Sequence, residues 1–212
     1  MTSFADFFRS SEPTRAKFLS RLFGLFSERV VRTWSAQVEA PYVDLGRPTL
    51  AEIGQPRGHT LDFTLRDRSS GRQYIAELKC ELEYDNYRYL LLTGSDQLLH
   101  HTSEAFRKFL RVAEDPASIG IRLGGVPCSV DGAILIWGAV APEGRSAVID
   151  RFGFADVLSI AAMVVDLQRW APDAWSELIQ SHRRWTTELF DFLTGPITPI
   201  AASTVVEEGA RQ

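Results

Sequence analysis

Three charged residues, Asp62, Glu77 and Lys79, stand in two short segments, HTLDFTL and QYIAELKCEL. Two carboxylates held about 4 Å apart repel by roughly 4 kcal/mol at an effective dielectric near 20. A divalent cation relieves such repulsion better than one lysine does, and Mg²⁺ characteristically takes one or two protein carboxylates while keeping waters for a phosphate substrate. These residue types therefore predict metal-assisted hydrolysis of a phosphodiester.

Both segments alternate apolar and polar residues, which is the period of a β-strand. In HTLDFTL the large apolar residues share one face and Asp62 lies on the other, so we predict a half-buried strand. In QYIAELKCEL, Glu77 and Lys79 share a face. The segment DRSSGR supplies turn residues between them, and the pair predicts a β-hairpin.

The register of the hairpin decides which residues face each other. A two-residue turn at positions 69–70 pairs Asp62 with Glu77, whereas a turn at positions 70–71 pairs Asp62 with Lys79. Directly opposite Cβ atoms lie about 4.5–5.5 Å apart. Because side chains alternate with a period of two, either turn leaves all three charged residues on one face.

Helices are predicted on both sides of the hairpin. Apolar residues at helical spacing predict a helix from about Thr14 to Trp34. The segment SDQLLHHTSEAFRKFLRVAED predicts a second helix with Ser95 as its N-cap. Residues from about 155 to 193 predict two more helices, divided near Pro172 because proline is tolerated in a first helical turn and not in a helix interior.

Further strands complete the predicted fold. PYVDLGRPTLAEI predicts a short strand or an irregular extended segment, and GGVPCSVDGAILIWGAV predicts a loop and then a strand from Ala133 to Val140. The order helix, strand, hairpin, helix, strand, helices indicates a mixed α/β domain. We expect a single domain of residues 1–194, with a core of about 15–140 and a helical extension of about 155–194, followed by a mobile tail at 195–212.

The strand pair resembles a known nuclease motif. Leu61-Asp62, the fourteen intervening residues and Glu77-Leu78-Lys79 resemble the PD-(D/E)XK motif. The order helix, strand, hairpin, helix, strand resembles the restriction-endonuclease-like core of that superfamily, with its mixed central sheet. Leu61 stands where the motif has a proline, at a position that carries no ligand.

The resemblance implies a role for each residue of the motif. Asp62 and Glu77 would ligate Mg²⁺ or Mn²⁺, and the Leu78 backbone carbonyl would complete the protein ligands. Lys79 would orient the attacking water or help to deprotonate it. The implied cofactor is a divalent metal ion, and the implied partner is nucleic acid, in the first place DNA.

Two further residues are candidates for supporting roles. Many members of the superfamily have an acidic residue on the first helix, and Glu28 stands there. Along an unbroken helix it lies about 160° from the apolar stripe, so a solvated position and a place in the metal shell stay equally open unless Gly24 breaks the helix. Some members place a glutamine where Gln97 stands, and polarity at a helix start is the alternative.

Net charge and the positions of the basic residues limit where the protein could bind nucleic acid. The 212 residues carry a formal net charge of −4, so any DNA-binding face must be local. The basic residues that could either clamp phosphates or form a solvated face occur in three groups: Arg15, Lys17, Arg21, Arg29 and Arg32; Arg66, Arg68 and Arg72; and Arg107, Lys108 and Arg111. Tyr84, Tyr87 and Tyr89 could stack on unpaired bases, although packing is the favoured reading.

Other familiar sites lack support in the sequence. The two distant cysteines, Cys80 and Cys128, predict neither a zinc site nor a disulfide. His100-His101 is predicted on an exposed helix face, because adjacent helical positions point about 100° apart and cannot both reach one ion. No GxSxG, HExxH or GxxxxGK[ST] segment occurs, which leaves serine-hydrolase and ATPase readings unsupported.

We therefore expect a cytoplasmic Mg²⁺-dependent nuclease that acts on DNA and has no membrane partner. The chief alternative is a catalytically inactive restriction-endonuclease-like domain that binds nucleic acid or protein. A third reading makes the ELK triplet an ordinary strand with paired surface charges. The sequence leaves open the form of the substrate, its cleavage within the chain or from an end, and a homodimer or a partner protein.

Overall fold

The computed structural model of this α/β protein describes residues 4–8, 12–80 and 89–196. The predictions for Tyr84, Tyr87 and the tail from residue 197 onward lie outside these residues. The chain divides into two compact units, residues 1–172 and 173–212.

The described residues form both helices and strands. The helices are α1 (Phe4–Phe8), α2 (Pro13–Gly24), α3 (Ser27–Ser35), α4 (Glu104–Glu114), α5 (Pro142–Phe152), α6 (Ile160–Trp170) and α7 (Asp173–Thr194). The strands are β1 (Tyr42–Asp44), β2 (Pro48–Ala51), β3 (His59–Thr60), β4 (Phe63–Asp67), β5 (Gln73–Lys79), β6 (Leu91–Leu92), β7 (Gly120–Leu123), β8 (Val126–Cys128), β9 (Gly132–Trp137), β10 (Ala139–Val140) and β11 (Asp156–Ser159). Among these helices, none is both long enough and apolar enough to cross a membrane.

The central sheet has five strands in the order β1-β4-β5-β9-β11. β4 pairs antiparallel with both β1 and β5, and β9 pairs parallel with both β5 and β11. A smaller sheet has the order β3-β2-β7-β8. The segment HTLDFTL, predicted as one strand, therefore divides between two sheets at Leu61 and Asp62.

Helices cover the central sheet on both faces. On one face, Phe106 and Phe109 of α4 join Ile75 and Leu135 in a hydrophobic cluster. On the other face, the guanidinium of Arg32 in α3 lies 5.3 Å from the centre of the Phe63 ring. Leu61, Phe63 and Leu65, the predicted apolar face, are buried, whereas Thr60 on the other face is exposed. Thr64 departs from the predicted alternation, because its side chain is also buried.

The predicted helix from Thr14 to Trp34 is two helices. α2 ends at Gly24, and α3 begins at Ser27. The backbone N–H of Phe26 donates to Phe23 O at 3.0 Å, a tight turn that ends α2. Glycine has a low helix propensity, which explains a break at this position.

The helix predicted from Ser95 begins later. Residues Ser95–Leu98 form one 3₁₀ turn, and α4 starts at Glu104. Ser103 is the N-cap of α4, and its hydroxyl accepts the Phe106 N–H at 3.3 Å. α4 begins after Ser103 because the Ser103 side chain satisfies a free N–H of the first turn and the Ser95 side chain does not.

In the C-terminal part the predicted break between two helices near Pro172 is present, but the stretch predicted as helix also contains a strand. α6 and α7 separate at Ala171, as Pro172 requires. β11 precedes α6 within the stretch predicted as helix, since it pairs with the buried β9. α5 was not predicted, although it begins at Pro142 and ends before Gly153 at φ 75°, both of which are ordinary helix boundary signals.

Thr64 provides a test of packing against the covered face of β4. Its side chain is fully buried, and its Oγ1 has no hydrogen-bond partner within the described residues. A buried unsatisfied hydroxyl is destabilising. Thr64→Val should raise the free energy of unfolding by about 1 kcal/mol and Tm by about 2–4 °C, measured by thermal denaturation. Thr60→Val, at an exposed strand position, should change Tm little, and a lower Tm for Thr64→Val would contradict the packing described.

Candidate active site

The turn of the hairpin is fixed by Asp67. Its carboxylate accepts the Ser69 hydroxyl at 2.6 Å and the backbone N–H groups of Ser69 and Ser70 at 2.7 and 2.8 Å. The Ser69 hydroxyl first, and then these backbone donors, favour the ionised form and lower the pKa of Asp67 to about 2. The Asp67 N–H donates to Arg72 O at 2.9 Å, which centres the turn on Ser69-Ser70.

This register places Asp62 opposite Glu77, the first of the two predicted alternatives. Phe63 pairs with Ala76 at the end of the β4–β5 ladder, and Asp62 stands just before Phe63, outside β4. Counted in the same register, Asp62 corresponds to Glu77 of β5. The charge of Asp62 contributes to the raised pKa of Glu77, so the two carboxylates lie within electrostatic range.

The division between β3 and β4 changes the hydrogen bonds at the end of β5. The Leu61 N–H donates to Pro48 O at 3.0 Å, which belongs to the smaller sheet. In place of a ladder carbonyl, Asp62 Oδ2 accepts the Leu78 N–H at 2.9 Å. The N–H and C=O of one strand residue point to the same neighbour. The Leu78 carbonyl therefore lies on the side of Asp62, as the ligand role implied for it requires.

Glu77 is the most buried charged residue of the group. Its side chain is 11% exposed, and Lys79 Nζ donates to its Oε1 at 2.7 Å. Its Oε2 is buried and has no hydrogen-bond partner in the described parts of the chain. Burial raises the pKa of Glu77, Lys79 opposes that rise, and the charge of Asp62 adds to it. The two carboxylates are thus electrostatically coupled, as the predicted site requires.

Arg47 is a fourth charged residue of the site, and sequence reasoning missed it. Arg47 stands between β1 and β2, and Asp62 stands between β4 and β3, the strands with which these two pair. Its Nη2 lies 3.5 Å from Asp62 Oδ1, and its Nε donates to Leu61 O at 3.3 Å. The pairing of PYVDLGRPTLAEI with HTLDFTL is the signal that could have found it.

The donor atoms around Asp62 and Glu77 suit a hard divalent cation. They are the second oxygen of each carboxylate and the Leu78 carbonyl, all oxygen atoms. The buried, unbonded Oε2 of Glu77 fits such an ion, because a buried polar atom without a partner is costly. Across the described residues, no cluster of three or more His, Cys, Asp or Glu side chains occurs. Two carboxylates and a carbonyl are few ligands, and an ion held by them would keep several waters, as Mg²⁺ does.

Glu28 lies in the first turn of α3, since the helix breaks after Gly24. Its carboxylate lies 3.8 Å from Arg32 Nη2, and the same arginine donates to Asp44 Oδ2 at 3.3 Å. The Glu28 side chain is 45% exposed. The contact that the structure gives Glu28 is thus an ion pair within its own helix, and a role in the metal shell stays a prediction.

Gln97 organises the backbone before the 3₁₀ turn. Its Oε1 accepts the N–H groups of Thr93 and Gly94 at 2.6 and 3.0 Å, and its Nε2 donates to Leu91 O at 3.0 Å. The amide therefore fixes the segment after β6 by local hydrogen bonds. This agrees with the alternative of helix-start polarity, and support of the site by Gln97 stays a prediction.

His100 and His101 do not lie on an exposed helix face. They precede α4, and their ring centres are 3.9 Å apart. His101 also contacts the rings of Phe106 and Trp137, at 4.8 and 5.9 Å between centres. The prediction failed because α4 begins at Ser103, so the two histidines are free of helical geometry and pack among aromatic rings.

Several of the basic residues considered as phosphate contacts bond within the protein. Besides Arg32, Arg68 donates to the carbonyls of Ser35 and Gln37. Lys108 forms an ion pair with Glu104, and Arg111 forms one with Glu52. These arginines and this lysine have anionic or carbonyl partners in the fold. Arg47, which the sequence did not single out, is the basic residue that contacts Asp62.

No protein-family model matches the chain, and neither a curated protein nor a solved structure shows significant similarity to it.

The raised pKa of Glu77 predicts how stability depends on pH. A carboxyl whose pKa is raised by folding binds its proton more tightly in the folded state, so its contribution to stability falls as the pH rises above the ordinary value of 4.5. Glu77→Gln should remove this fall. In chelator-containing buffer its Tm at pH 7 should exceed that of the wild type, and the difference should shrink toward pH 4.5.

Glu114→Gln, at an exposed position of α4, is the matched control and should follow the wild-type profile. A Tm of Glu77→Gln below that of the wild type at pH 7 would mean that Lys79 outweighs burial, and the described balance of charges would be rejected.

Proposed function

We propose that this protein is a Mg²⁺-dependent nuclease of the PD-(D/E)XK type that hydrolyses phosphodiester bonds, most of all in DNA. The observation that carries the proposal is the buried Glu77 Oε2, which has no bond to any described residue and stands opposite Asp62. Such an atom is stabilised by a cation, and the other available donors are oxygens.

The arrangement of secondary structure supports the same proposal. When β2, β3 and β6–β8 are left aside, α3, β1, the β4–β5 hairpin, α4 and β9 follow one another as helix, strand, hairpin, helix and strand, which is compatible with the proposed core. α3 and α4 lie at the two faces of the sheet that carries the motif. Rigid, covered strands are suited to hold catalytic groups in fixed geometry.

In this proposal each side chain has one task. Asp62, Glu77 and the Leu78 carbonyl hold the metal ion, whose bound water is more acidic than bulk water. Asp62 is oriented by the Leu78 N–H at 2.9 Å, so its second oxygen faces the ligand position. Glu77 is held by burial within β5 and by its opposition to Asp62.

Lys79 provides the mobile positive charge. Its ammonium bonds Glu77 Oε1 at 2.7 Å and lies 5.8 Å from the centre of the Phe106 ring. It can leave the carboxylate when a metal ion neutralises Glu77, and then orient the attacking water or stabilise the charge that develops on the phosphate. Its 24% exposure leaves it accessible to a substrate at the end of the strand.

A second candidate function is a binding module of the same fold without catalysis. The observation that favours it is that two resident cations already balance the carboxylates, with Lys79 on Glu77 and Arg47 on Asp62. The charges of an ion cluster of this kind balance without a metal. The third reading, an ELK triplet of unrelated surface charges, is disfavoured because Asp62 bonds the Leu78 N–H and raises the pKa of Glu77.

Cleavage assays separate these functions. Supercoiled plasmid and single-stranded DNA are incubated with the protein in Mg²⁺, in Mn²⁺ and in EDTA. We expect metal-dependent cleavage by the wild type and none by Asp62→Asn purified identically, because a neutral amide is a poorer ligand. Calorimetry should show weaker Mg²⁺ binding by Asp62→Asn. Metal binding that is unchanged in this variant would reject the assignment of Asp62, and binding of DNA without cleavage would favour the binding module.

Lys79→Ala tests the catalytic part of the proposal. Since Lys79 is not a metal ligand, the variant should bind Mg²⁺ and DNA within a few-fold of the wild type while cleavage falls by about 10²–10³. Lys79→Arg should not restore full activity, because a planar guanidinium does not occupy the same point or shed a proton. Equal cleavage rates for wild type and Lys79→Ala would show that the lysine has no catalytic role.

A further inference from the structure

We infer that Arg47 couples metal binding to nucleic-acid binding: it occupies the cation position on Asp62 when no metal is bound, and it binds a substrate phosphate when a metal takes that position. This inference rests on the proposed function and adds a residue that lies outside the sequence motif. It predicts that Arg47 weakens the binding of the metal ion and strengthens the binding of nucleic acid. A purely structural role would not produce these opposite effects.

The backbone holds Arg47 at the point where the two sheets part. Gly46, with φ 112°, precedes it and accepts the Thr64 N–H at 2.7 Å. Pro48 follows it and accepts the Leu61 N–H at 3.0 Å. Both neighbours of Arg47 are thus bonded to the strand that carries Asp62. The backbone of Arg47 is therefore held beside Asp62, and the part of the residue that can move is its side chain.

The bond of Arg47 to Asp62 is suited to exchange. Asp62 Oδ2 holds the Leu78 N–H at 2.9 Å, whereas Arg47 Nη2 is 3.5 Å from Oδ1, beyond the usual hydrogen-bond range. The arginine side chain is 50% exposed, and exposed ion pairs are weak. A divalent cation therefore competes well for Oδ1, which is also the Asp62 oxygen that the proposed site assigns to the metal.

Once displaced, the guanidinium needs another anion. Arginine keeps its charge at any physiological pH, so a metal ion on Asp62 leaves two positive charges close together. A phosphodiester bound at the ion supplies the missing negative charge. The planar fork of arginine binds phosphate oxygens in pairs, which a lysine at this position cannot do. Lys79 is more buried and bonds Glu77, so Arg47 is the outer cation of the site.

The experiment measures two affinities with four variants. Mn²⁺ binding is measured by calorimetry without nucleic acid. DNA binding is measured by fluorescence anisotropy with labelled single-stranded and duplex oligonucleotides in Mn²⁺, in the Lys79→Ala background to prevent cleavage. The variants are Arg47→Ala, Arg47→Lys, Asp62→Asn, and Arg66→Ala as a matched control, because Arg66 is an exposed arginine of β4. Thermal melting verifies that each variant is folded.

Arg47→Ala should bind Mn²⁺ several-fold more tightly, because the competing cation is gone. The same change should weaken DNA binding by about tenfold and lower the slope of log affinity against log salt by about one, as the loss of one phosphate contact does. Arg47→Lys should keep the salt slope and recover only part of the affinity. Arg66→Ala should leave Mn²⁺ affinity unchanged.

Three results would overturn the inference. If Arg47→Ala weakens the binding of both Mn²⁺ and DNA, the arginine is a structural support of Asp62. If Arg47→Ala changes neither affinity, the arginine is not part of the site. In both cases the proposed nuclease stands if Asp62→Asn weakens Mn²⁺ binding. A wild-type protein that binds no Mn²⁺ would overturn the inference and the proposed function together.

Discussion

Two carboxylates in one cross-strand pair are the constraint on which the site depends. Asp62 precedes β4 at the position that the hairpin register matches to Glu77 of β5, and Glu77 is largely buried, so both repulsion and loss of hydration oppose its charge. The groups around the pair counter this cost with a backbone N–H, an ammonium and a guanidinium, contributed by Leu78, Lys79 and Arg47. What stays uncompensated is one oxygen of Glu77, and that is where a bound cation would act.

The parting of two sheets creates this arrangement. If β3 and β4 were one strand, the Leu61 backbone would pair with Leu78 and close the ladder. Because Leu61 instead bonds Pro48 in the smaller sheet, the carboxylate of Asp62 takes the Leu78 N–H. The end of β5 thus changes from a sheet interior into an edge that presents polar groups. The rest of β5 and all of β9 are covered, which keeps that edge rigid.

The proposed site also explains why its charges are so mixed. A nuclease without its metal must still fold, and two adjacent carboxylates alone would oppose folding. Lys79 and Arg47 allow the metal-free protein to keep the pair in place. The same cations are the natural partners of a phosphate once a metal takes over the carboxylates. In the proposed nuclease, the same two side chains would serve both stability without metal and recognition of the substrate.

The sequence by itself determined the local relations. Period-two alternation placed Asp62, Glu77 and Lys79 on one face, and the proline at position 172 divided the last two helices, because both depend on neighbouring residues alone. The tertiary structure decided the hairpin register, the burial of Thr64, the N-cap of α4 at Ser103 and the packing of the two histidines. It also brought Arg47 to Asp62. Pairing between distant segments sets these features, and a local pattern carries no information about which distant segment will cover it or pair with it.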